Sequence, residues 1–181
     1  MYGLRVVTPA TQEPVSLAEA RSQARIDVVT EDATLAAYIV AARQWLELAT
    51  GRALPVQTLE MSLDCFPRCQ ITLPRSPVAS ITSITYTDTD GATQTVSAAD
   101  YLLDAARHVP IITPAYGKAW PPSRGDAGNV KVRFVAGESQ PPEPLRHALL
   151  LLVAQWHENR EAPPANPAVD ALIAPYRLHL I

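Results

Sequence analysis

Two consecutive helices with clear capping signals are encoded in the first 54 residues, and this hairpin constrains the fold most. Ser16 and Glu19 form a Ser-x-x-Glu capping box, which predicts a helix over about 16–26. Apolar residues recur at helical spacing over about 32–50, and Gly51 suits the left-handed residue that ends such a helix. Since each helix has an apolar side, both must pack against other elements of the chain.

Period-two alternation replaces helical spacing after Pro55. Leu59, Met61, Leu63 and Cys65 alternate with polar residues, as in a strand with one wet face. Further short strands are predicted at 71–73, 81–87, 93–96, 101–103, 109–113 and 130–134, with a hairpin turn at Asp90-Gly91. The short turns leave no room for crossovers, so the strands are predicted to be antiparallel. Proline and glycine predict an exposed loop over 114–129, with Tyr116 and Trp120 available to anchor it.

The segment 143–160 is predicted to be the most apolar helix. Its stripe is wider than that of an ordinary amphipathic helix, so it is either central to the core or shared with a partner. The residues assigned to this core or subunit packing are Leu149, Leu152, Val153 and Trp156.

The predicted fold class is α+β: a helical bundle formed by N- and C-terminal helices with an inserted antiparallel β region of short strands. We expect one domain over 1–181. Its parts are the N-terminal helices (1–54), the β insertion (55–137), the core helix (138–162), and a proline-rich linker with a C-terminal tail (163–181).

Charge and hydropathy exclude several classes of protein. The formal net charge of −3 does not fit a strongly basic nucleic-acid binder. The longest apolar run, 148–154, is too short to cross a bilayer, and the N-terminus has no apolar signal segment. We therefore expect a soluble cytoplasmic product with no membrane partner.

Signals for catalysis or cofactor binding are scarce. The sequence has no glycine-rich phosphate loop and no nucleophile elbow. His157-Glu158 begins like a zinc motif, but the second histidine is replaced by Glu161. Cys65 and Cys69 lack a second pair of zinc ligands and are predicted to be buried or half-buried structural cysteines. We expect no catalytic residues, no metal and no cofactor.

Two groups of residues leave alternatives open. Lys118, Arg124, Lys131 and Arg133 form either a solvated surface or a small patch that contacts DNA phosphates. The apolar C-terminal residues Leu178, Leu180 and Ile181 either dock on the chain's own core or insert into a partner.

Together these segments resemble the head–tail connector (portal adaptor, or head completion) family of long-tailed phages, also encoded by prophages and gene transfer agents. The resemblance covers nearly the whole chain in order. It is carried by Pro14-Val15-Ser16-Leu17-Ala18-Glu19-Ala20, Arg25-Ile26-Asp27, Glu31-Asp32, Thr50-Gly51-Arg52-Ala53-Leu54, Leu73-Pro74-Arg75-Ser76-Pro77-Val78, Ile84-Thr85-Tyr86, Asp90-Gly91, Pro114-Ala115-Tyr116-Gly117-Lys118-Ala119-Trp120-Pro121, Val132-Arg133-Phe134-Val135-Ala136-Gly137, Trp156, Glu158-Asn159-Arg160, and Leu172-Ile173-Ala174-Pro175-Tyr176-Arg177.

The resemblance implies a virion structural protein rather than an enzyme. Such proteins form a ring, commonly of twelve copies, on the portal in the neck of the particle. The ring extends the DNA channel and offers a platform for stopper or tail proteins, so double-stranded DNA passes without specific binding. The family's C-terminal segment commonly engages the portal. Here that segment is about 166–181, which we expect to be mobile until it binds, with Tyr176, Arg177, Leu178, Leu180 and Ile181 as anchors. The alternative is a soluble host regulatory or ligand-binding α+β module without catalysis.

Overall fold

The computed structural model describes residues 3–26, 31–159 and 166–179, which fall into two compact units. The helical unit contains 11–55 and 138–178, and the β unit contains the N-terminal residues up to 10, 56–137 and the last residues from 179. The elements in chain order are β1 (Gly3–Thr8), α1 (Leu17–Ala24), α2 (Asp32–Thr50), β2 (Gln57–Leu63), β3 (Ile71–Thr72), β4 (Val78–Thr87), β5 (Thr93–Thr95), β6 (Tyr101–Asp104), β7 (Ile111–Pro114), β8 (Val130–Ala136), α3 (Glu143–Glu158) and α4 (Pro167–Ile173). The α+β class is confirmed.

The ends of α1 and α2 follow from local hydrogen bonds. Glu19 N–H donates to Ser16 Oγ at 3.2 Å, and Ser16 N–H donates to Glu19 Oε2 at 2.7 Å, so the predicted capping box is confirmed. The backbone hydrogen bond from Ser16 is the main cause that lowers the pKa of Glu19. Gly51 ends α2 at φ 74°, where its N–H donates to the Glu47 carbonyl.

The helical unit has one hydrophobic core to which all four helices contribute. α3 contacts α1, α2 and α4, which makes it the central element. Burial of these side chains is the main source of the unit's stability, since each fully buried Leu, Ile or Val contributes roughly 1.5–3 kcal/mol. The buried residues are Val15, Ala20, Leu35, Ile39, Ala42, Leu46, Leu54, Leu145, Ala148, Leu149, Leu152, Val153, Val169 and Ile173.

The β unit contains two antiparallel sheets, which confirms the predicted antiparallel pairing. The larger has the strand order β1-β2-β8-β4-β5 and the smaller has the order β3-β7-β6. Residues of one face, such as Met61, Ile84 and Phe134, are completely buried. The predicted hairpin joins β4 to β5, and Gly91 adopts the positive φ that this turn requires.

Two predictions about single side chains were wrong. Cys65 and Cys69 are free and exposed, because they lie in the bend after the last residue of β2 rather than on its buried face. Tyr116 is fully exposed and anchors nothing. Trp120 does anchor the loop, since its ring stacks on Phe66 with 5.1 Å between ring centroids.

Candidate assembly surfaces

The C-terminal segment docks on the helical unit through α4. Asn166 caps this helix, because its Oδ1 accepts a hydrogen bond from the Ala168 N–H at 3.1 Å. Val169 and Ile173 lie one helical turn apart and are buried in the helical core. The segment is therefore held by apolar burial as well as by its cap.

Beyond α4 the chain stays against the end of α2. Leu178 N–H donates to the Thr50 carbonyl at 2.7 Å, and the Leu178 side chain lies over Gly51. A Cβ at position 51 would be 3.1 Å from Leu178 Cβ, so glycine allows both the positive φ and this close approach. The Arg52 guanidinium lies 5.8 Å from the centre of the Tyr176 ring.

The expected portal anchors are therefore placed as follows. Tyr176, Arg177 and Leu178 have partners in their own chain, with Arg177 donating to Asp170 Oδ1 at 2.9 Å. Leu180 and Ile181 lie outside the described residues. Of the three apolar C-terminal residues, Leu178 docks on its own chain in the structure. The expected mobility of 166–181 before portal binding stays a prediction.

The apolar stripe of α3 is covered by the same chain. Leu149 and Val153 are completely buried, and Leu152 is 4% exposed. Trp156 is half-buried and meets Tyr38 edge to face, with 6.4 Å between ring centroids. Of the two alternatives for this stripe, the structure shows the core, since Leu149, Leu152 and Val153 are covered by their own chain.

The four predicted DNA-channel residues do not form one free basic patch. Lys118 pairs with Asp100 at 3.0 Å, and Arg124 pairs with Asp126 at 3.1 Å. These carboxylates cancel most of the field that a phosphate would feel. Lys131 and Arg133 share one face of the larger sheet, because they lie two residues apart on β8.

That sheet face contains a buried carboxylate between two arginines. Glu60 on β2 is 3% exposed and pairs with Arg5 on β1 at 2.6 Å and with Arg133 on β8 at 2.8 Å. Burial would raise the pKa of Glu60, but the hydrogen bonds from Arg133 and Arg5 outweigh burial and lower it. This face of the sheet therefore carries three cations, Arg5, Lys131 and Arg133, and one anion, Glu60. Hydroxyl side chains occupy neighbouring positions on the same face.

A second surface, not predicted from the sequence, is the outward side of α2. We define the α2 outer face as the exposed residues Ala33, Thr34, Ala36, Ala37, Val40, Ala41, Gln44, Trp45 and Leu48. None of them is charged. The spacing of apolar residues indicates the buried stripe of α2, and the absence of charge on the opposite side is the sequence signal for this second surface.

Within 3–26, 31–159 and 166–179, no group of three or more His, Cys, Asp or Glu side chains could hold a metal ion. His157, the first residue of the zinc-like pattern, forms a hydrogen bond with Glu31 Oε2 at 2.5 Å.

No helix in the described ranges is long and apolar enough to span a membrane.

The chain belongs to the phage gp6-like head-tail connector protein family, whose model matches residues 14–110. The predicted family is thereby confirmed, and it is a class of structural proteins rather than of enzymes.

Solved structures agree over both units. The chain is 30% identical to a chain in the neck of an empty gene transfer agent particle computed with C6 symmetry, with a TM-score of 0.84. The match covers 99% of this chain and 97% of that one. The chain is also 30% identical to chains in the virion of a native gene transfer agent particle (TM-score 0.83, coverage 98% and 96%) and in the neck of a native particle computed with C12 symmetry (TM-score 0.77, coverage 100% and 97%). Among curated proteins, none matches the chain in sequence.

Proposed function

We propose that this chain assembles as a ring of twelve copies in the neck of a phage-like particle and joins the head to the tail. The observation that supports this most is the similarity to neck chains over 99% of the sequence, which includes the helical unit and the β unit alike. A similar chain belongs to a neck computed with C12 symmetry, from which we infer the number of copies.

Within this role, the portal is the proposed partner of the C-terminal segment. The side chains of Tyr176, Arg177 and Leu178 already contact their own chain. The portal therefore either binds the segment in its docked position or displaces it from Gly51 and Arg52. Leu180 and Ile181 complete the proposed anchor. Stopper or tail proteins are the proposed partners on the other side of the ring.

DNA passage through the ring is proposed to involve the basic sheet face. Lys131 has no acidic partner among the described side chains, and Arg5 and Arg133 together exceed the charge of Glu60. Lys118 and Arg124 contribute less, because each has its own carboxylate. A net charge of −3 and few free cations suit DNA that slides rather than binds.

Three further proposals concern the chain itself. We propose that the four helices act as a bundle built from both ends of the sequence, supported by their shared core. We also propose that the two units work as a single connector domain, and that the chain is made in the host bacterial cytoplasm. The alternative of a host regulatory or ligand-binding module is favoured by none of the comparisons.

Electron cryomicroscopy of particles from the encoding strain tests the proposed function. We expect a ring of this chain between portal and tail, with the C-terminal segment at the portal. Particles that lack the chain, or purified chain that fails to bind its cognate portal, would overturn the connector role. In that case the host-module alternative would become the leading hypothesis.

A further inference from the structure

We propose that the α2 outer face is the surface through which each copy of the chain docks against the next copy in the ring. This inference rests on the ring of the proposed function and adds which surface closes it. The proposed occupant is a second copy of this chain.

The first argument is the distribution of charge on α2. Its charged residues Asp32, Arg43 and Glu47 are only partly exposed. Asp32 pairs with Arg21, while Arg43 pairs with Glu13 at 2.7 Å and with Glu47 at 2.9 Å. Each charged residue of α2 is thus partly buried and paired within the helical unit, and none of the fully exposed residues of α2 is charged.

The second argument is the size of the apolar side chains that remain exposed. Leu48 is 78% exposed, Trp45 is 41% exposed and Val40 is 37% exposed. A surface helix of a globular protein normally presents charged and polar residues on this side. Small alanines flank these anchors, and they permit another backbone to approach closely. An aromatic anchor in an uncharged centre is typical of the core of a protein interface.

The uncharged, apolar character of the α2 outer face indicates which kind of partner it binds. Nucleic acid is excluded, because phosphate binding needs cations and this face has none. Interfaces between identical subunits are more apolar than those between transient partners. A second copy therefore fits better than a stopper or tail protein that joins later.

The size of the face fits one part of a ring interface. From Ala33 to Leu48 the helix rises roughly 22 Å, and a helix with side chains is about 10 Å wide, so the face covers roughly 220 Å². A stable interface buries about 800 Å² on each partner. The face thus supplies the apolar centre, and surrounding residues supply the rest.

Ring closure adds a constraint on what the face meets. In a ring of more than two copies each subunit uses two different surfaces. The α2 outer face therefore meets another surface of the next copy rather than the α2 outer face itself.

Replacement of one exposed leucine tests the proposal, with a second exposed leucine as the matched control. Leu48→Arg places an unpaired charge in the proposed interface. Leu102→Arg makes the same change on β6, where Leu102 is 60% exposed. Each variant replaces the wild-type chain in the producing cells, and its copies per particle are counted by mass spectrometry and cryomicroscopy. We expect incorporation of Leu48→Arg to fall about tenfold or more, as for a hot-spot residue, and incorporation of Leu102→Arg to match wild type.

A thiol-protection measurement covers the case in which Leu48→Arg fails to fold. In a background with Cys65→Ser and Cys69→Ser, Leu48→Cys and Leu102→Cys are labelled with a maleimide before and after assembly. We expect assembly to protect position 48 and to leave position 102 reactive. Normal incorporation of Leu48→Arg, or equal labelling at position 48 before and after assembly, would overturn the proposal while the ring stands. If wild-type particles contain no ring, the proposed function itself fails.

Discussion

Truncation of Leu152 measures how much the centre of α3 contributes to the fold. The side chain is 4% exposed and lies in the core shared by all four helices. Nearly full burial of a leucine contributes roughly 1.5–3 kcal/mol, and the cavity that remains in Leu152→Ala brings the expected loss to about 3 kcal/mol. This is a large share of the 5–15 kcal/mol that typically stabilises a domain. Leu152→Asp would bury an unpaired charge, and we expect it to unfold the helical unit or abolish assembly.

The assay is urea unfolding of the monomeric chain, followed by far-UV circular dichroism and by tryptophan fluorescence. Leu48→Ala on α2 is the matched control, because Leu48 is 78% exposed and should lose less than about 0.5 kcal/mol. If Leu152 served subunit contact instead, Leu152→Ala would leave the monomer as stable as wild type and weaken only assembly. That result, or an equal loss in Leu48→Ala, would refute the assignment of α3 to the core.

Three further predictions concern the β unit and the first helix. Glu60→Gln should cost about 1–2 kcal/mol near pH 7. Because the folded pKa of Glu60 is lowered, this gap should close as pH falls through that folded pKa, and a gap that persists in acid would contradict the ion-pair role. Ser16→Ala should cost about 1 kcal/mol in thermal or urea unfolding, through loss of the capping box; a change below about 0.3 kcal/mol would show that the cap is unimportant. Trp120→Ala should raise tryptic cleavage within 115–129 roughly tenfold, whereas Tyr116→Ala should not; equal rates would exclude the stacked anchor.

The helices were predictable because their signals are local. The predicted range of about 32–50 matches α2, and the predicted 143–160 differs from α3 by two residues at its end. A cap such as Gly51 and a repeat of apolar residues act within one or two helical turns. No knowledge of tertiary structure is needed to recognise them.

The features that escaped prediction depend on which segments meet. β1 is an edge strand whose side chains are almost all exposed, so it has no alternation to recognise, and Arg5 was not connected with Glu60. The wide stripe of α3 fits a core and a subunit contact equally well. Only the placement of α1, α2 and α4 around it decides between the two.

The order of the segments along the chain has a consequence for synthesis on the ribosome. Each unit depends on an element encoded late: β8 lies between β2 and β4 in the larger sheet, and α3 touches the other three helices. A nascent chain of 129 residues contains neither of them. The apolar side chains of its strands and helices would stay exposed to solvent until β8 and α3 are made, and aggregation competes with folding in that state. We therefore expect both cores to form only when translation is almost complete, and co-translational chaperones to matter more for this chain than its modest length suggests.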